Sequence, residues 1–283
     1  MSAEKDLAGR AFLVTGANTG IGRVTAIELA RRGGTVTVAC RSEERTRPVL
    51  DEIGAFGGKV SFLHLDLGDL AGTARAAKQF LDSGARLDVL VNNAGLAGQR
   101  GITKDGFELQ FGTNHVGPFL FTVLLLPRIR EGSAPRIVNV ASQGHYRAKA
   151  IPWDLLRQST PTISGFPEYC VSKLCNVLFT KELARGKAGA GVHSYSLHPG
   201  GVASDVWRRI PWPFTPLLKL FLLSNEEGAL TSLHCATSPE VAGDDGLYYD
   251  VCKPRTPSKL ALDEALAKEL WERTEEMVAP FMK

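Results

Sequence analysis

Tyr169 and Lys173 stand four residues apart in Tyr169-Cys170-Val171-Ser172-Lys173, inside a stretch from Phe166 to Ala188 that reads as a helix. On a helix that spacing puts both side chains on one face, one turn apart. An ammonium beside a phenol favours the phenolate and lowers the phenol's pKa. Such a pair can exchange a proton with a carbonyl or alcohol near neutral pH, which an isolated tyrosine does poorly. The spacing alone is not selective, because Tyr249 and Lys253 repeat it. That second pair lies in a strand-like stretch ended by Pro254, where four residues span about 13 Å and the side chains share no turn. The case for Tyr169 rests on the elements around it.

Those elements alternate short β-branched runs with longer amphipathic stretches, the pattern of βα repeats. It predicts an α/β fold: a doubly wound parallel (Rossmann) sheet of about seven strands with helices on both faces. No linker, repeat or low-complexity segment divides residues 1–283, so one domain is expected. The first strand, Ala11 to Thr15, runs into Gly16-Ala17-Asn18-Thr19-Gly20-Ile21-Gly22 and a helix from about Ile21 to Arg32. Glycines between a strand and a helix let backbone N–H groups approach a pyrophosphate at the helix N-terminus. The second strand, Thr35 to Cys40, ends at Arg41, near where a carboxylate would hold the ribose 2′-hydroxyl of NAD. An arginine there suits a 2′-phosphate instead, so NADP(H) is expected.

A third strand, about Lys59 to Leu65, precedes Asp66-Leu67, and a fourth, Leu87 to Val91, precedes Asn92-Asn93-Ala94-Gly95. Small residues after a strand let backbone approach a ligand. A helical region from Asp105 to Arg130, broken near Gly117-Pro118, carries Asn114, and a mid-helix asparagine is unfavourable without a reason. The fifth strand, Arg136 to Ala141, delivers Ser142 at its carboxyl end, the side on which doubly wound sheets bind ligands. Gln143 to Pro167, with Tyr146, Trp153 and Phe166, reads as an inserted loop walling a substrate pocket. A sixth strand, Val192 to Leu197, leads to Pro199-Gly200-Gly201-Val202-Ala203-Ser204. Residues 203–224 are rich in tryptophan, proline and leucine and read as an apolar lid or a peripheral membrane contact. A helix from Ser224, a strand near Leu247 to Asp250 and a charged terminal helix follow.

Composition narrows the function. Net charge is +3, and the basic residues form no long run, so nucleic acid is not an expected partner. Five cysteines with no CxxC or Cys/His cluster point to reduced thiols, a cytoplasmic setting and no metal site. Met1 to Arg10 has no apolar core for a signal or anchor. The apolar runs Pro118 to Pro127 and Pro216 to Leu223 fall short of the ~20 residues of a membrane span, and the first reads as a buried helix.

The sequence TGANTGIG at Thr15–Gly22 resembles the cofactor loop of the short-chain dehydrogenase/reductase family, and the likeness runs from Gly9 to about Asp250. It implies a catalytic tetrad of Asn114, Ser142, Tyr169 and Lys173. Tyr169 would be the general acid/base and Ser142 would bond the substrate oxygen. Lys173 would lower the tyrosine's pKa and bond the nicotinamide ribose, and Asn114 would hold a relay water. The same resemblance assigns cofactor contacts to Gly16, Asn18, Thr19, Gly20, Ile21 and Gly22, to Asp66 and Leu67, and to Asn93, Ala94 and Gly95. It adds Pro199, Gly200, Val202 and Ser204 facing the nicotinamide, with Ser204 where threonine is usual. ACR at Ala39–Arg41, NHVGPFLFT from Asn114 and YCVSKLCNVLFTKELA from Tyr169 are most similar to the retinol dehydrogenase branch. That implies a lipophilic aldehyde, ketone or alcohol as substrate and allows a homodimer. Many members of the branch carry an N-terminal membrane anchor; none is expected here, where Met1 to Arg10 leads directly into the first strand. Two other readings compete: an NADP(H)-binding sensor or scaffold without catalysis, and a sugar-nucleotide epimerase or dehydratase, which shares the Tyr-x-x-x-Lys pair but has a larger C-terminal substrate domain.

Overall fold

A computed structural model of the chain describes residues 5–201 and 224–282. Val202, Ser204 and the apolar stretch 203–223 lie outside the described residues. Eight strands form one sheet in the order β3-β2-β1-β4-β5-β6-β7-β8. They are β1 Ala11–Thr15, β2 Thr35–Cys40, β3 Lys59–His64, β4 Val89–Asn92, β5 Arg136–Val140, β6 His193–His198, β7 Leu247–Asp250 and β8 Lys253–Pro254. All neighbours pair in parallel except β7 and β8. Strands β1, β4 and β5 are buried at every residue. That is why they read as unbroken apolar runs rather than alternations.

Helices α1 Gly20–Arg31, α2 Glu43–Ala55 and α6 Asn225–Thr237 cover one face of the sheet. The other face carries α3 Leu70–Asp82, α4 Leu109–Arg130, α5 Phe166–Arg185 and α7 Glu264–Val278. Polar side chains start several of these helices: Ser42 and Asp69 accept N–H groups of the first turns of α2 and α3. Ser224 and Glu227 form a capping box on α6. Among the described residues, α4 is long and apolar enough to cross a membrane, yet 78% of its apolar window is buried inside the protein. It is a core helix, as its Pro118 to Pro127 segment suggested.

Two expectations are corrected. Helix α4 is continuous through Gly117-Pro118 rather than broken there, because a π turn, Gly112–Val116, immediately precedes the proline. The wider turn makes room for the proline ring and absorbs the loss of the hydrogen bond that proline cannot donate. Gly117 meets the carbonyl of Leu67, where a Cβ would collide. The second correction concerns Tyr249 and Lys253. The chain reverses at Val251 and Cys252, both in left-handed conformation (φ 49° and 59°), and Lys253 pairs with Asp250 across a hairpin. The pair is therefore split by a turn, not by an extended strand, and this hairpin supplies the eighth strand. Tyr249 is buried against Tyr195 with its hydroxyl donating to Asp244, whereas Lys253 is exposed.

Candidate active site

The sheet changes winding direction between β1 and β4, so a crevice opens at their carboxyl ends. The glycine loop lines it on one side. Gly16 has φ +66°, a conformation that L side chains rarely adopt, and a Cβ on it would stand 2.8 Å from Ala94 Cα. A Cβ on Gly22 would overlap Asn93 Nδ2 and come within 2.6 Å of the Gly16 carbonyl. Asn93 Nδ2 donates to the carbonyls of Thr15 at 2.9 Å and Gly16 at 3.3 Å. Thr15 Oγ1 in turn accepts the N–H groups of Asn93 and Ala94. The Asn93-Ala94 turn is thus fastened to the loop, and Asn93's amide serves the protein itself. No side chain caps the N-terminus of α1 at Thr19, so its first N–H groups face the crevice.

A buried ladder sets the second wall. Asn92 donates to Thr122 Oγ1 and to Asn139 Oδ1, and Asn139 donates to Thr180 Oγ1, each at 2.9 Å. These bonds lock β4, β5, α4 and α5 in register, and α5 carries Tyr169 and Lys173 to the end of β5. Lys173 Nζ donates to the carbonyl of Val140 at 2.8 Å and lies 5.7 Å from the centre of the Tyr169 ring. Ser142 follows two residues after Val140. A Cβ on Gly144 would lie 3.2 Å from Tyr169 Cε1 and 3.4 Å from Ser142 Oγ, so serine, glycine and phenol share one small space. A Cβ on Gly95 would lie 3.2 Å from Asn114 Oδ1 and 3.4 Å from Lys173 Nζ. All four tetrad positions therefore converge on the carboxyl ends of β4 and β5.

Asn114 is presented by the π turn. Its Nδ2 donates to the Leu96 carbonyl and to Ser172 Oγ, and its Oδ1 accepts the Leu96 N–H, each at 2.9 Å. Ser172 Oγ in turn donates to the carbonyl of Tyr169 at 2.8 Å. Both amide hydrogens of Asn114 are thus engaged by protein, which leaves one Oδ1 lone pair for a water.

The electrostatics correct the expectation for Tyr169. Burial pushes its phenol up from the ordinary range, and the opposing influence is the neighbouring Ser142 hydroxyl. Lys173 is not among the groups that oppose this rise, and its own burial lowers it to about 8, which still leaves it charged at neutral pH. The phenol is therefore protonated at neutral pH.

Other expected positions fall out as follows. Arg41 is exposed at the end of β2, and Cys40 is buried under the loop, where burial pushes its thiol up against the opposing influence of Thr46 and the N–H groups of Ala17, Asn18 and Gly16 and keeps it uncharged. Asp66 is half-buried and accepts the Gly68 N–H at 3.0 Å, while the Leu67 side chain is buried in the core. Pro199 and Gly200 follow β6 at the crevice, half-buried. The Gln143–Pro167 segment contributes Phe166, whose ring stacks on Tyr169 at 6.2 Å. Its middle instead borders an apolar cavity of about 290 Å³ with Phe111, Leu155, Leu156 and Val171. Val171 projects about 200° around α5 from Tyr169, so that cavity is on the back of the helix. Sequence reasoning missed Ser172, Asn139, Thr180 and His145, all polar and buried. For Ser172 and His145 a signal existed, since each lies three residues from a candidate catalytic side chain.

A parallel doubly wound sheet with a glycine cradle at its switch point defines a dinucleotide-binding protein. Gly16 and Gly22 let the loop lie directly on the Asn93-Ala94 turn, where a Cβ at either would collide with protein, and the uncapped first turn of α1 beside it fits the pyrophosphate of a nicotinamide dinucleotide. The chain matches the family model for short chain dehydrogenases over residues 10–152, and it belongs to that oxidoreductase family. It is 41% identical to human retinol dehydrogenase 11, covering 94% of this chain and 85% of that protein. It is 40% identical to the Bos taurus dehydrogenase/reductase SDR family member 13, covering 96% and 74%. A solved structure of an uncharacterized protein from Mycobacterium paratuberculosis superposes with TM-score 0.77 at 32% identity, covering 99% and 98%. Two others carry cofactors. A protein from Beutenbergia cavernae, described as a proposed NAD(P) dependent gluconate 5-dehydrogenase, holds NADP at low occupancy (TM-score 0.71, 27% identity, 87% and 96% covered). A 3-ketoacyl-(acyl-carrier-protein) reductase from Brucella melitensis holds NADH (TM-score 0.68, 26% identity, 87% and 98% covered).

Proposed function

We propose that the protein is an NADP(H)-dependent oxidoreductase that interconverts the carbonyl and alcohol of a lipophilic aldehyde, ketone or alcohol. The observation that carries this reading is the convergence of Ser142, Tyr169 and Lys173 at the end of β5, beside a glycine cradle for a dinucleotide. A bound nicotinamide would supply or accept the hydride. Gly16, Asn18, Thr19, Gly20, Ile21 and Gly22 would hold its pyrophosphate against the N-terminus of α1. Arg41 would pair with a 2′-phosphate, which the buried, uncharged Cys40 would not repel.

Tyr169 would donate its phenolic proton to the carbonyl oxygen during reduction, and a phenol raised by burial is in the right protonation state to do so. Ser142 Oγ accepts the Gly144 N–H at 3.0 Å, so its own proton is left to bond the same oxygen as charge develops. Lys173 would hold the ribose, with Asn114 keeping the Leu96 turn in place and lending one lone pair to a relay water. Phe166 on the Tyr169 ring offers an apolar surface to the substrate, which fits the retinol named for the human relative. Trp271 of α7 packs on Phe119 of α4 and Phe179 of α5. A homodimer is the assembly the family resemblance allows, and sedimentation of the chain tests it against a monomer. The five free cysteines fit a reducing cytoplasm.

The test is NADPH consumption with a panel of lipophilic aldehydes and ketones, run beside NADH. Faster turnover with NADPH, reversed towards NADH in Arg41→Asp, supports the reading. An unchanged preference in that variant removes Arg41 from its role.

A further inference from the structure

Three residues of the turn after Ser142 reach one distant stretch of chain. Gln143 Nε2 donates to Asp250 Oδ2 at 3.1 Å, and the Tyr146 hydroxyl donates to the Thr256 carbonyl at 2.6 Å. His145 Nε2 stands 3.1 Å from the N–H of Ser258. Asp250 is itself held by an ion pair with Arg255. The C-terminal hairpin and the segment after it thus grip the turn at three points, and His145 is the central one.

His145 is fully buried, with its ring 4.0 Å from that of Tyr146 and 4.7 Å from that of Tyr248. Its Nδ1 lies 2.6 Å from the carbonyl oxygen of Ser142. A backbone N–H can only donate, so Nε2 must carry the lone pair facing Ser258. The ring proton then sits on Nδ1 and donates to Ser142. Both nitrogens are assigned by their partners, and the ring is neutral in one tautomer. Burial, which pushes its pKa down, keeps it so.

What the ring holds matters for chemistry. The Ser142 carbonyl accepts both this Nδ1–H and the His145 backbone N–H at 3.2 Å, while Ser142 Oγ accepts from Gly144. The direction left to the serine proton follows from how this short turn is set.

We propose that His145 is a positioning residue for Ser142: its imidazole, braced by Ser258, holds the turn so that the serine hydroxyl faces Tyr169 and the substrate oxygen. The inference rests on the carbonyl-reduction reading above and deepens it. It makes residues 250–258 a structural part of the active site although they contact no reacting atom.

A double-mutant cycle tests it. His145→Phe keeps a ring between Tyr146 and Tyr248 and removes both bonds. With NADPH and a lipophilic aldehyde, kcat is expected to fall about 10- to 100-fold, part of the ~10²–10³ that loss of an oxyanion donor brings. KM for both substrates stays within about twofold. In a Ser142→Ala background the same substitution is expected to have no further effect. A full multiplicative loss in that background, or an unchanged kcat in the single variant, overturns the proposal. His145→Gln, which retains a donor and an acceptor, is expected to recover part of the rate and gives the same cycle should the phenylalanine variant not fold. The ¹³Cζ NMR resonance of Tyr169 reads the same link without turnover. Ser142→Ala and His145→Phe should move it in one direction, and the double variant should move it no further. An unmoved resonance in His145→Phe overturns the positioning role. Moved resonances in a chain that reduces no carbonyl contradict the carbonyl-reduction reading alone.

Discussion

His115 Nε2 and Thr274 Oγ1 lie 3.1 Å apart, both buried, and join the π turn that carries Asn114 to the C-terminal helix α7. Thr274 Oγ1 already donates to the Leu270 carbonyl at 2.6 Å, so it accepts from His115, which fixes that ring's proton on Nε2. Active-site geometry thereby depends on a helix far along the chain. Thr274→Val, which strands the buried N–H, should lower stability by about 1–3 kcal/mol in a denaturant titration.

The same histidine predicts an acid limit to stability. Burial alone pushes His115 down to about 3 from an ordinary 6.5. Between those values the unfolded chain takes up a proton that the folded chain refuses. The contribution is complete above pH 6.5 and is lost as pH falls towards 3, with a slope of up to about 1.4 kcal/mol per pH unit. His115→Phe should flatten this part of the stability profile, and an unchanged slope contradicts the assignment.

Lys173 gives the opposite end of the pH scale. Its folded value of about 8 lies below the ordinary 10.5, so the folded chain releases this proton first. Its contribution to stability therefore rises with pH between 8 and 10.5. For catalysis, the ammonium that would hold the ribose is lost above about 8. A falling limb in kcat/KM near pH 8, absent or displaced in Lys173→Arg, is the expected profile.

Gly22→Ala isolates the cradle. Asn93 Nδ2, which the new methyl group would strike, is held by two carbonyls and cannot swing away freely. We expect about 1–3 kcal/mol of destabilisation from overpacking and at least about a tenfold weaker Kd for NADPH, since 1.4 kcal/mol is tenfold. Intrinsic fluorescence quenching by the cofactor measures this.

Much of the scaffold was legible because buried parallel strands read as apolar runs and because Gly16, Gly20 and Gly22 fall between a strand and a helix. The ends of β1, β2 and β7 match their expected limits, and β3 to β6 shift by one or two residues. What stayed hidden were features made by tertiary contacts. The π turn at Asn114 has no propensity signal, and β8 is two residues long after a turn built on Val251 and Cys252 rather than on glycine. The raised Tyr169 phenol was missed because spacing places a lysine nearby but does not reveal how deeply the phenol itself is buried. His115 and His145 take their roles from partners more than a hundred residues away, which local spacing does not name.

The central claim is that Tyr169 supplies the proton. Tyr169→Phe removes one oxygen and keeps the ring on which Phe166 stacks. NADPH Kd measured by fluorescence and kcat measured with a lipophilic aldehyde should separate completely. The account predicts a Kd within about twofold of the parent chain and a kcat lower by about 10² or more. A kcat that persisted undiminished with the cofactor still bound would contradict it.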